Sequence, residues 1–195
     1  MKNFNIIING VGGQGLITLL KIISEAAQVE GYDIRTSELH GLSQRGGSVE
    51  VHIRFGKEVY SPLVAQSKVN LILSLEMQEA LNGIYYASPE TVFLINKYQT
   101  PTLAKDSTEE EVLKNLKKVS KNVFIIPASE ICKKELGTDV ISGVYLLSYA
   151  IFKKFLPLKP ASILTAMKTI IPEKYLELNI KTFDLAKNNV EEKNS

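Results

Sequence analysis

The chain has 195 residues, of which 45% are hydrophobic and 23% charged, and its formal net charge is +2. This length and composition are typical of one folded, soluble domain. The near-neutral charge excludes the strongly basic surface of a nucleic-acid-binding domain. The longest apolar stretch, residues 140–152, is too short to span a bilayer, and residues 1–9 do not resemble a signal peptide, so we expect a cytoplasmic protein.

Cysteine and histidine are too scarce to predict a metal site. Cys132 is the single cysteine, and an iron–sulfur cluster needs about four thiolates, so this chain alone cannot hold one. His40 and His52 lack the spacing of a zinc site. We interpret Cys132, which lies in a predicted helix, as a buried and inert thiol.

A glycine-rich turn follows the first apolar run. Residues 4–9 predict a strand, and residues 14–29 predict an amphipathic helix that ends near Gly31. Between them lie Gly10, Gly12, Gly13, Gln14 and Gly15, at the spacing of a dinucleotide-binding fingerprint. We call residues 10–15 the glycine turn. Its glycines could let a phosphate or cofactor approach the backbone, or could only permit close packing of helix and strand, and the sequence leaves both interpretations open.

A second glycine-rich segment, residues 38–48, follows a predicted strand at residues 33–37. Its candidate ligand-binding residues are Ser43, Gln44, Arg45, Gly46 and Gly47. An arginine beside two glycines forms a flexible anion-binding corner, and ligands bind at the carboxyl ends of strands in open α/β sheets. We therefore favour a ligand-binding loop over a solvated surface loop. Glu38 is not expected to hold a ribose, because it lies farther from the glycines than in dinucleotide-binding folds.

Residues 49–55 alternate apolar and polar side chains, which predicts a half-exposed strand. We expect residues 58–61 to return as its antiparallel partner, so that a β-hairpin interrupts the rest of the pattern. His52 falls on the polar side of the alternation and is interpreted as a surface histidine.

The remaining apolar runs alternate with predicted helices, which indicates parallel strands. These strands are expected at residues 69–75, 91–96 and 122–127. The predicted fold is therefore α/β: a Rossmann-like three-layer fold with a mainly parallel sheet, an inserted β-hairpin and a helical C-terminal third.

The C-terminal third predicts helices at residues 139–155, 160–171 and 173–190. The first is apolar on almost every side, so it is either deeply buried or shared with a partner. We favour burial of Tyr145, Tyr149 and Phe152 within the core of the chain, since a helix in a layered fold already has two neighbours.

Four segments together resemble a known family: residues 10–15, 38–49, 61–62 and 75–76. They are similar to the gamma-type domain of the 2-oxoacid:ferredoxin oxidoreductases, and most similar to the members that act on aryl 2-oxoacids such as indolepyruvate. The resemblance is carried by motifs over residues 5–81 and by order and length beyond them. It implies that residues 1–195 form one such domain.

The resemblance also implies a function in a complex. The chain would be a subunit of an enzyme that oxidatively decarboxylates aryl 2-oxoacids to aryl-acyl-CoA and reduces ferredoxin. A larger alpha subunit would hold thiamine diphosphate and the iron–sulfur clusters, and coenzyme A would bind at a shared site. The glycine turn and Ser43, Gln44, Arg45, Gly46 and Gly47 are then the expected coenzyme A contacts, and no catalytic residue is assigned.

Three alternatives remain open. The chain could be the gamma subunit of a related enzyme acting on pyruvate, 2-oxoisovalerate or 2-oxoglutarate. It could instead be a non-catalytic, Rossmann-like assembly module whose glycines serve packing only. A small nicotinamide dehydrogenase is disfavoured, because no substrate domain and no well-placed acidic residue are present.

Overall fold

The computed structural model describes residues 3–41, 47–100 and 107–192. Within these residues, six strands form one sheet in the order β2-β3-β1-β4-β5-β6. The strands are β1 Phe4–Val11, β2 Asp33–His40, β3 Ser48–Gly56, β4 Leu71–Ser74, β5 Val92–Asn96 and β6 Val123–Ile126. β1, β4, β5 and β6 run parallel, and β3 is antiparallel to both β1 and β2.

Helices cover both faces of this sheet. They are α1 Leu16–Val29, a 3₁₀ helix Glu79–Tyr86, α2 Glu109–Leu116, α3 Ala128–Leu136, α4 Ser142–Phe152, α5 Pro160–Ile170 and α6 Glu173–Glu192. The larger core lies between the sheet and α1, α3, α4, α5 and α6, and the smaller core lies under the 3₁₀ helix and α2. The predicted three-layer α/β fold with a helical C-terminal third is confirmed. No helix of the described residues is long and apolar enough to cross a membrane.

The inserted hairpin is present, but its partner was predicted wrongly. β3 pairs with β2, from Asp33 opposite Gly56 to His40 opposite Val49, and residues 58–61 form no strand. The physical reason is that β1 and β2 already occupy both edges of β3, which leaves no edge for a returning strand. The chain after β3 is held instead by a side chain, since the Val59 N–H donates to Asp33 Oδ2 at 2.8 Å.

The prediction that His52 lies on the surface is also wrong. Its side chain is 1% exposed and faces the smaller core. Nδ1 accepts the Val64 N–H at 3.0 Å, and Nε2 lies 2.8 Å from Glu50 Oε1. The alternation in β3 does divide its side chains between an apolar face and a polar face. The polar face is buried because residues 61–64, which follow the strand, fold back over it.

The apolar helix α4 is packed inside the chain. Tyr145 and Tyr149 are 1% and 5% exposed, and the Phe152 ring lies 4.9 Å from that of Phe183 on α6. The predicted core burial is therefore confirmed for Tyr145 and Tyr149, whereas Phe152 is partly buried and packs against the core. Cys132 on α3 is buried as predicted, and burial raises the pKa of its thiol to about 12, which keeps it protonated at neutral pH.

A charge placed on α4 should therefore unfold the chain rather than only break an interface. We predict that Tyr149→Glu lowers the free energy of unfolding at pH 7 by more than about 3 kcal/mol, because a carboxylate would be buried without a partner. The loss should shrink as the pH falls, since burial raises the pKa of the new carboxyl and the folded state binds its proton more readily.

Urea unfolding of Tyr149→Glu, followed by circular dichroism at several pH values, measures this effect. Tyr175→Glu is the matched control, since Tyr175 is 51% exposed and should tolerate the charge. Unchanged stability of Tyr149→Glu would show that Tyr149 is not a core residue.

Candidate functional site

The glycine turn connects the end of β1 to the start of α1. Gly13 and Gly15 have φ values of 103° and 83°, a backbone conformation that favours glycine. A Cβ atom on either residue would meet no atom within 4 Å. These two glycines are thus needed for the backbone of the turn, and they leave its outer side open.

Gly10, in contrast, is a packing glycine. A Cβ atom there would lie 2.6 Å from Gln14 Oε1 and 3.2 Å from Leu75 Cβ. The Gln14 side chain folds back into this space, and its Oε1 accepts the Val11 N–H at 2.8 Å. The Val11 N–H needs an acceptor, so the side-chain oxygen of Gln14 faces it. The amide nitrogen of Gln14 is therefore directed away from the backbone of the turn. Close packing therefore explains Gly10, whereas Gly13 and Gly15 leave the backbone open to another group.

The hairpin end lies directly against the glycine turn. The pairing of β1 with β3 sets Val11 opposite Ser48, and the Gly12 N–H donates to the Gly47 carbonyl at 3.0 Å. The Gly41 N–H closes the hairpin by donating to the Ser48 carbonyl at 3.1 Å. The structure thus brings Gly47 to the turn. The other predicted loop residues, Ser43, Gln44, Arg45 and Gly46, lie outside the described residues.

A row of buried polar side chains supports the strand ends below the turn. Ser74 Oγ, at the end of β4, donates to Asn9 Oδ1 near the end of β1. Asn96 Nδ2, at the end of β5, donates to Ser129 Oγ at 2.8 Å. Asn9 Nδ2 is buried and has no hydrogen-bond partner in the described part of the chain. Sequence reasoning missed this row, whose signal is a single polar residue closing each apolar strand.

Glu76 fixes the loops beyond β4 and β5. Its side chain is buried, and its carboxylate accepts the Glu79 N–H at 2.9 Å and the Thr100 N–H at 3.2 Å. Burial raises the pKa of this carboxyl above its usual range. Glu79 in turn accepts the Ser48 hydroxyl at 2.5 Å, which ties the 3₁₀ helix to the start of β3.

Among the described residues, two cavities flank the glycine turn, and Gly13, Gln14 and Val140 line both. The large cavity measures about 580 Å³ and lies between α1, α4, α5 and α6, with mostly apolar walls. The small cavity measures about 150 Å³ and lies at the carboxyl edge of the sheet. Its walls are more polar and include Asn96, Tyr98, Ser129, Asp139 and Ser142.

The electrostatics of this region favour an anion at the turn itself. α1 and α4 both begin here, and neither has a side-chain cap on its first N–H groups. Uncapped N–H groups and the positive end of a helix dipole stabilise negative charge. The two cavities differ in charge, because Lys21 lines the large one and Asp139 lines the small one.

The chain belongs to the pyruvate ferredoxin/flavodoxin oxidoreductase family, whose model matches residues 5–188. It is 33% identical over 191 residues to a protein of Pyrococcus horikoshii named indolepyruvate oxidoreductase subunit IorB, and the alignment covers 95% of each chain. The protein of the same name from Thermococcus kodakarensis is 34% identical over 191 residues, again with 95% of each chain covered. The resemblance inferred from the motifs is thus confirmed.

Solved structures share the fold. The keto/oxoacid ferredoxin oxidoreductase gamma subunit of Geobacter sulfurreducens superposes with a TM-score of 0.69 at 18% identity, covering 96% of this chain and 98% of that one. The 2-oxoglutarate:ferredoxin oxidoreductase of Magnetococcus marinus, solved with 2-oxoglutarate, coenzyme A and succinyl-CoA bound, gives a TM-score of 0.74 at 18% identity. There the superposition covers 98% of this chain and 31% of the longer one.

Gly10 and Gln14 should be energetically coupled, because the side chain of one fills the space left by the other. We predict that Gly10→Ala destabilises the chain by about 1–3 kcal/mol, the usual cost of overpacking. Gln14→Ala should cost about 1 kcal/mol through loss of its hydrogen bond to Val11. The double variant should be less destabilised than the sum of the two, since the clash with Oε1 is gone.

A double-mutant cycle in urea measures this coupling. Gly41→Ala paired with Gln14→Ala is the matched control, because the nearest contact of a Cβ at Gly41 is the Ser48 carbonyl at 3.4 Å. Additive effects at Gly10 and Gln14 would contradict the packing described for the turn.

Proposed function

We propose that the chain is the small, beta-type subunit of an indolepyruvate:ferredoxin oxidoreductase. The complex would convert an aryl 2-oxoacid and coenzyme A to aryl-acyl-CoA and carbon dioxide, passing two electrons to ferredoxin. The observation that carries this proposal is the similarity at 33% and 34% identity to two indolepyruvate oxidoreductase subunits, over 95% of each chain. Residues 1–195 would form one gamma-type domain.

The contribution of this chain would be to bind coenzyme A at a site shared with its partner. The open sides of Gly13 and Gly15 and the uncapped start of α1 suit a phosphate group. The Gln14 amide nitrogen would donate a hydrogen bond to the same ligand. The Gly12 N–H holds Gly47 against the turn, and Gly47 directly follows Ser43, Gln44, Arg45 and Gly46 in the sequence.

The larger alpha-type partner would hold thiamine diphosphate, which supplies decarboxylation chemistry, and the iron–sulfur clusters that pass electrons to ferredoxin. Cys132 supports this division of roles, because it is the single cysteine and its buried thiol is held in the protonated form. Asp139 is exposed and lines the small cavity, so it would face the ligand rather than the core.

A second candidate is a subunit that serves other 2-oxoacids. The pyruvate/ketoisovalerate oxidoreductases common subunit gamma of Pyrococcus abyssi is 26% identical over 180 residues, covering 89% of each chain. This identity is lower than that to the indolepyruvate relatives, so the aryl substrate is the first choice.

Activity of the reconstituted complex tests the proposal. The chain should be co-expressed with the larger subunit encoded by the same organism, and reduction of ferredoxin measured with indolepyruvate, phenylpyruvate, pyruvate and 2-oxoglutarate. We expect the highest kcat/KM for an aryl substrate, strict dependence on coenzyme A, and neither activity nor iron–sulfur absorbance for the chain alone. Preference for pyruvate would favour the second candidate. Full activity of the partner alone would favour an assembly module.

Arg45 is the residue of the 42–46 segment best suited to a phosphate, because a guanidinium can donate two parallel hydrogen bonds. We predict that Arg45→Ala weakens the use of coenzyme A in the complex by about 1.5–3 kcal/mol, the range for a charged hydrogen bond. Arg45→Lys should lose less, since it keeps the charge and loses the paired geometry.

This prediction is tested by measuring the KM for coenzyme A and the thermal stability of the complexes that contain each Arg45 variant. Arg35→Ala is the matched control, since Arg35 is half exposed on β2 and pairs with Asp33 at 2.6 Å. Parental dependence on coenzyme A in both Arg45 variants would exclude a phosphate contact. Lower stability with an unchanged KM would favour a role in bracing the loop.

A further inference from the structure

Exposed apolar side chains gather on one face of the sheet, away from both cavities. Seven large hydrophobic side chains are exposed among the described residues, and two of them, Val140 and Tyr175, line the large cavity. Four of the other five lie on the face that carries the smaller core, and each is between 44% and 89% exposed. These four, which we call the apolar strip, are Leu39 on β2, Tyr60 and Leu63 in the segment after β3, and Tyr85 on the 3₁₀ helix.

Glu50 on β3 links the members at one end of the apolar strip. It lies opposite Leu39 in the pairing of β2 with β3, so the two side chains are neighbours on the same face. Its Oε1 accepts the Tyr86 hydroxyl at 2.9 Å, and the Tyr85 ring packs edge-on against the Tyr86 ring, with 5.0 Å between the centroids. Leu39, Glu50 and the two tyrosines therefore form one continuous surface.

Arg54 holds the other end of the apolar strip. Its Nη1 donates to the Ser61 carbonyl at 2.8 Å and to the Leu63 carbonyl at 3.3 Å, which keeps the segment with Tyr60 and Leu63 against β3. Glu50 and Arg54 lie four residues apart on β3. Because a strand rises about 3.4 Å per residue, the strip follows β3 for at least roughly 14 Å.

The carboxylate of Glu50 is enclosed by this surface and is only partly paired. Its side chain is 16% exposed, and both hydrogen bonds that it accepts fall on Oε1, from the Tyr86 hydroxyl and from His52 Nε2 at 2.8 Å. His52 Nε2 carries the ring proton, because Nδ1 accepts the Val64 N–H. Burial raises the pKa of Tyr86 to about 12, so its hydroxyl remains a donor. Oε2 of Glu50 accepts no hydrogen bond from the described residues and is available to a donor outside the chain.

An arginine set in an apolar surface is the group that best fits Glu50. A guanidinium can donate to a carboxylate while its flat face stacks on a tyrosine ring. Charged pairs removed from water among aromatic side chains are typical of the few residues that carry most of the affinity of a protein–protein interface. A phosphate group would instead be repelled by the carboxylate, which disfavours a nucleic acid or a lipid headgroup as the occupant.

A second copy of the chain is a poor occupant. β2 is the outer strand of the sheet, and two copies joined edge to edge about a two-fold axis would pair β2 with itself, antiparallel. Each residue would then face one an even number of positions away, because neighbouring residues direct their backbone groups to opposite edges. Centring the pairing on Arg35 or on Glu38 brings like charges together. Centring it on either residue between them sets Asp33 or Arg35 opposite Leu39.

We propose that the apolar strip docks the larger chain of the complex, and that an arginine of that chain reaches Glu50 beside the rings of Tyr85 and Tyr86. This inference rests on the proposed function, from which it takes the partner. It uses none of the residues that line the two cavities. The surface that holds the partner would thus be separate from the cavities beside the glycine turn.

The affinity between the purified chain and the purified larger chain tests the docking surface. Leu39→Asp and Tyr85→Asp each place a carboxylate at an exposed position near Glu50. We expect each variant to raise the Kd by roughly 10-fold or more and to keep the parental thermal stability of the isolated chain. Val29→Asp is the matched control, because Val29 is 51% exposed at the end of α1 and lies outside the apolar strip.

Neutralising Glu50 tests the contact with an arginine. Glu50→Gln keeps an oxygen that can accept from Tyr86 and His52 but removes the charge. We expect the Kd to rise roughly 10-fold and to depend less on salt concentration, since one ion pair across the interface is lost. Glu177→Gln, a change of an exposed carboxylate on α6, is the matched control.

The outcomes separate this inference from the proposed function. Parental affinity in both aspartate variants would overturn the docking surface, and parental affinity with unchanged salt dependence in Glu50→Gln would overturn the arginine contact. A chain that sediments alone as a dimer, and that Leu39→Asp makes monomeric, would show that a second copy occupies the strip. If the two parental chains bind one another as inferred but the complex oxidises no 2-oxoacid, the docking surface stands and the proposed function fails.

Discussion

The antiparallel pairing of β3 with β1 is the constraint on which the site depends. It sets Val11 opposite Ser48, and this register places Gly47 within hydrogen-bond distance of Gly12. The register is strongly specified, because the apolar side chains of β3 face the larger core and a slip of one residue would turn them to the other face. The core therefore fixes where the hairpin meets the glycine turn.

The same pairing alters what the glycine turn can bind. In a dinucleotide-binding fold, an acidic residue after the second strand holds the ribose beside the turn. Here β3 occupies the position next to β1, and Glu38 lies on β2 at the edge of the sheet. The hairpin therefore lies where a dinucleotide-binding fold has the acidic residue that holds the ribose. This arrangement disfavours a nicotinamide dehydrogenase by geometry as well as by motif.

Features that depend on nearby residues could be predicted from the sequence. The glycine turn, the parallel strands and the buried helix α4 follow from local periodicity and from the conformations open to glycine. The partner of β3 could not be predicted, since it depends on which strand edges remain free once the sheet has formed. His52 was misassigned because only the folded chain shows that residues 61–64 cover the polar face of β3. The supporting row from Asn9 to Ser129 joins distant segments, and the sequence shows only a polar residue near the end of each strand, not which of these residues bond to one another.

The described side chains that line the two cavities are of a kind suited to binding. The titratable side chains that line the two cavities are Lys21, Tyr98, Asp139 and Tyr175. Lys21 and Asp139 carry opposite charges, and the phenol hydroxyls of Tyr98 and Tyr175 can donate or accept a hydrogen bond. His52 lines neither cavity and is buried in the smaller core, with both ring nitrogens engaged. The described lining of the two cavities therefore consists of apolar side chains, hydrogen-bonding groups and two opposite charges, which are groups suited to holding and orienting a ligand.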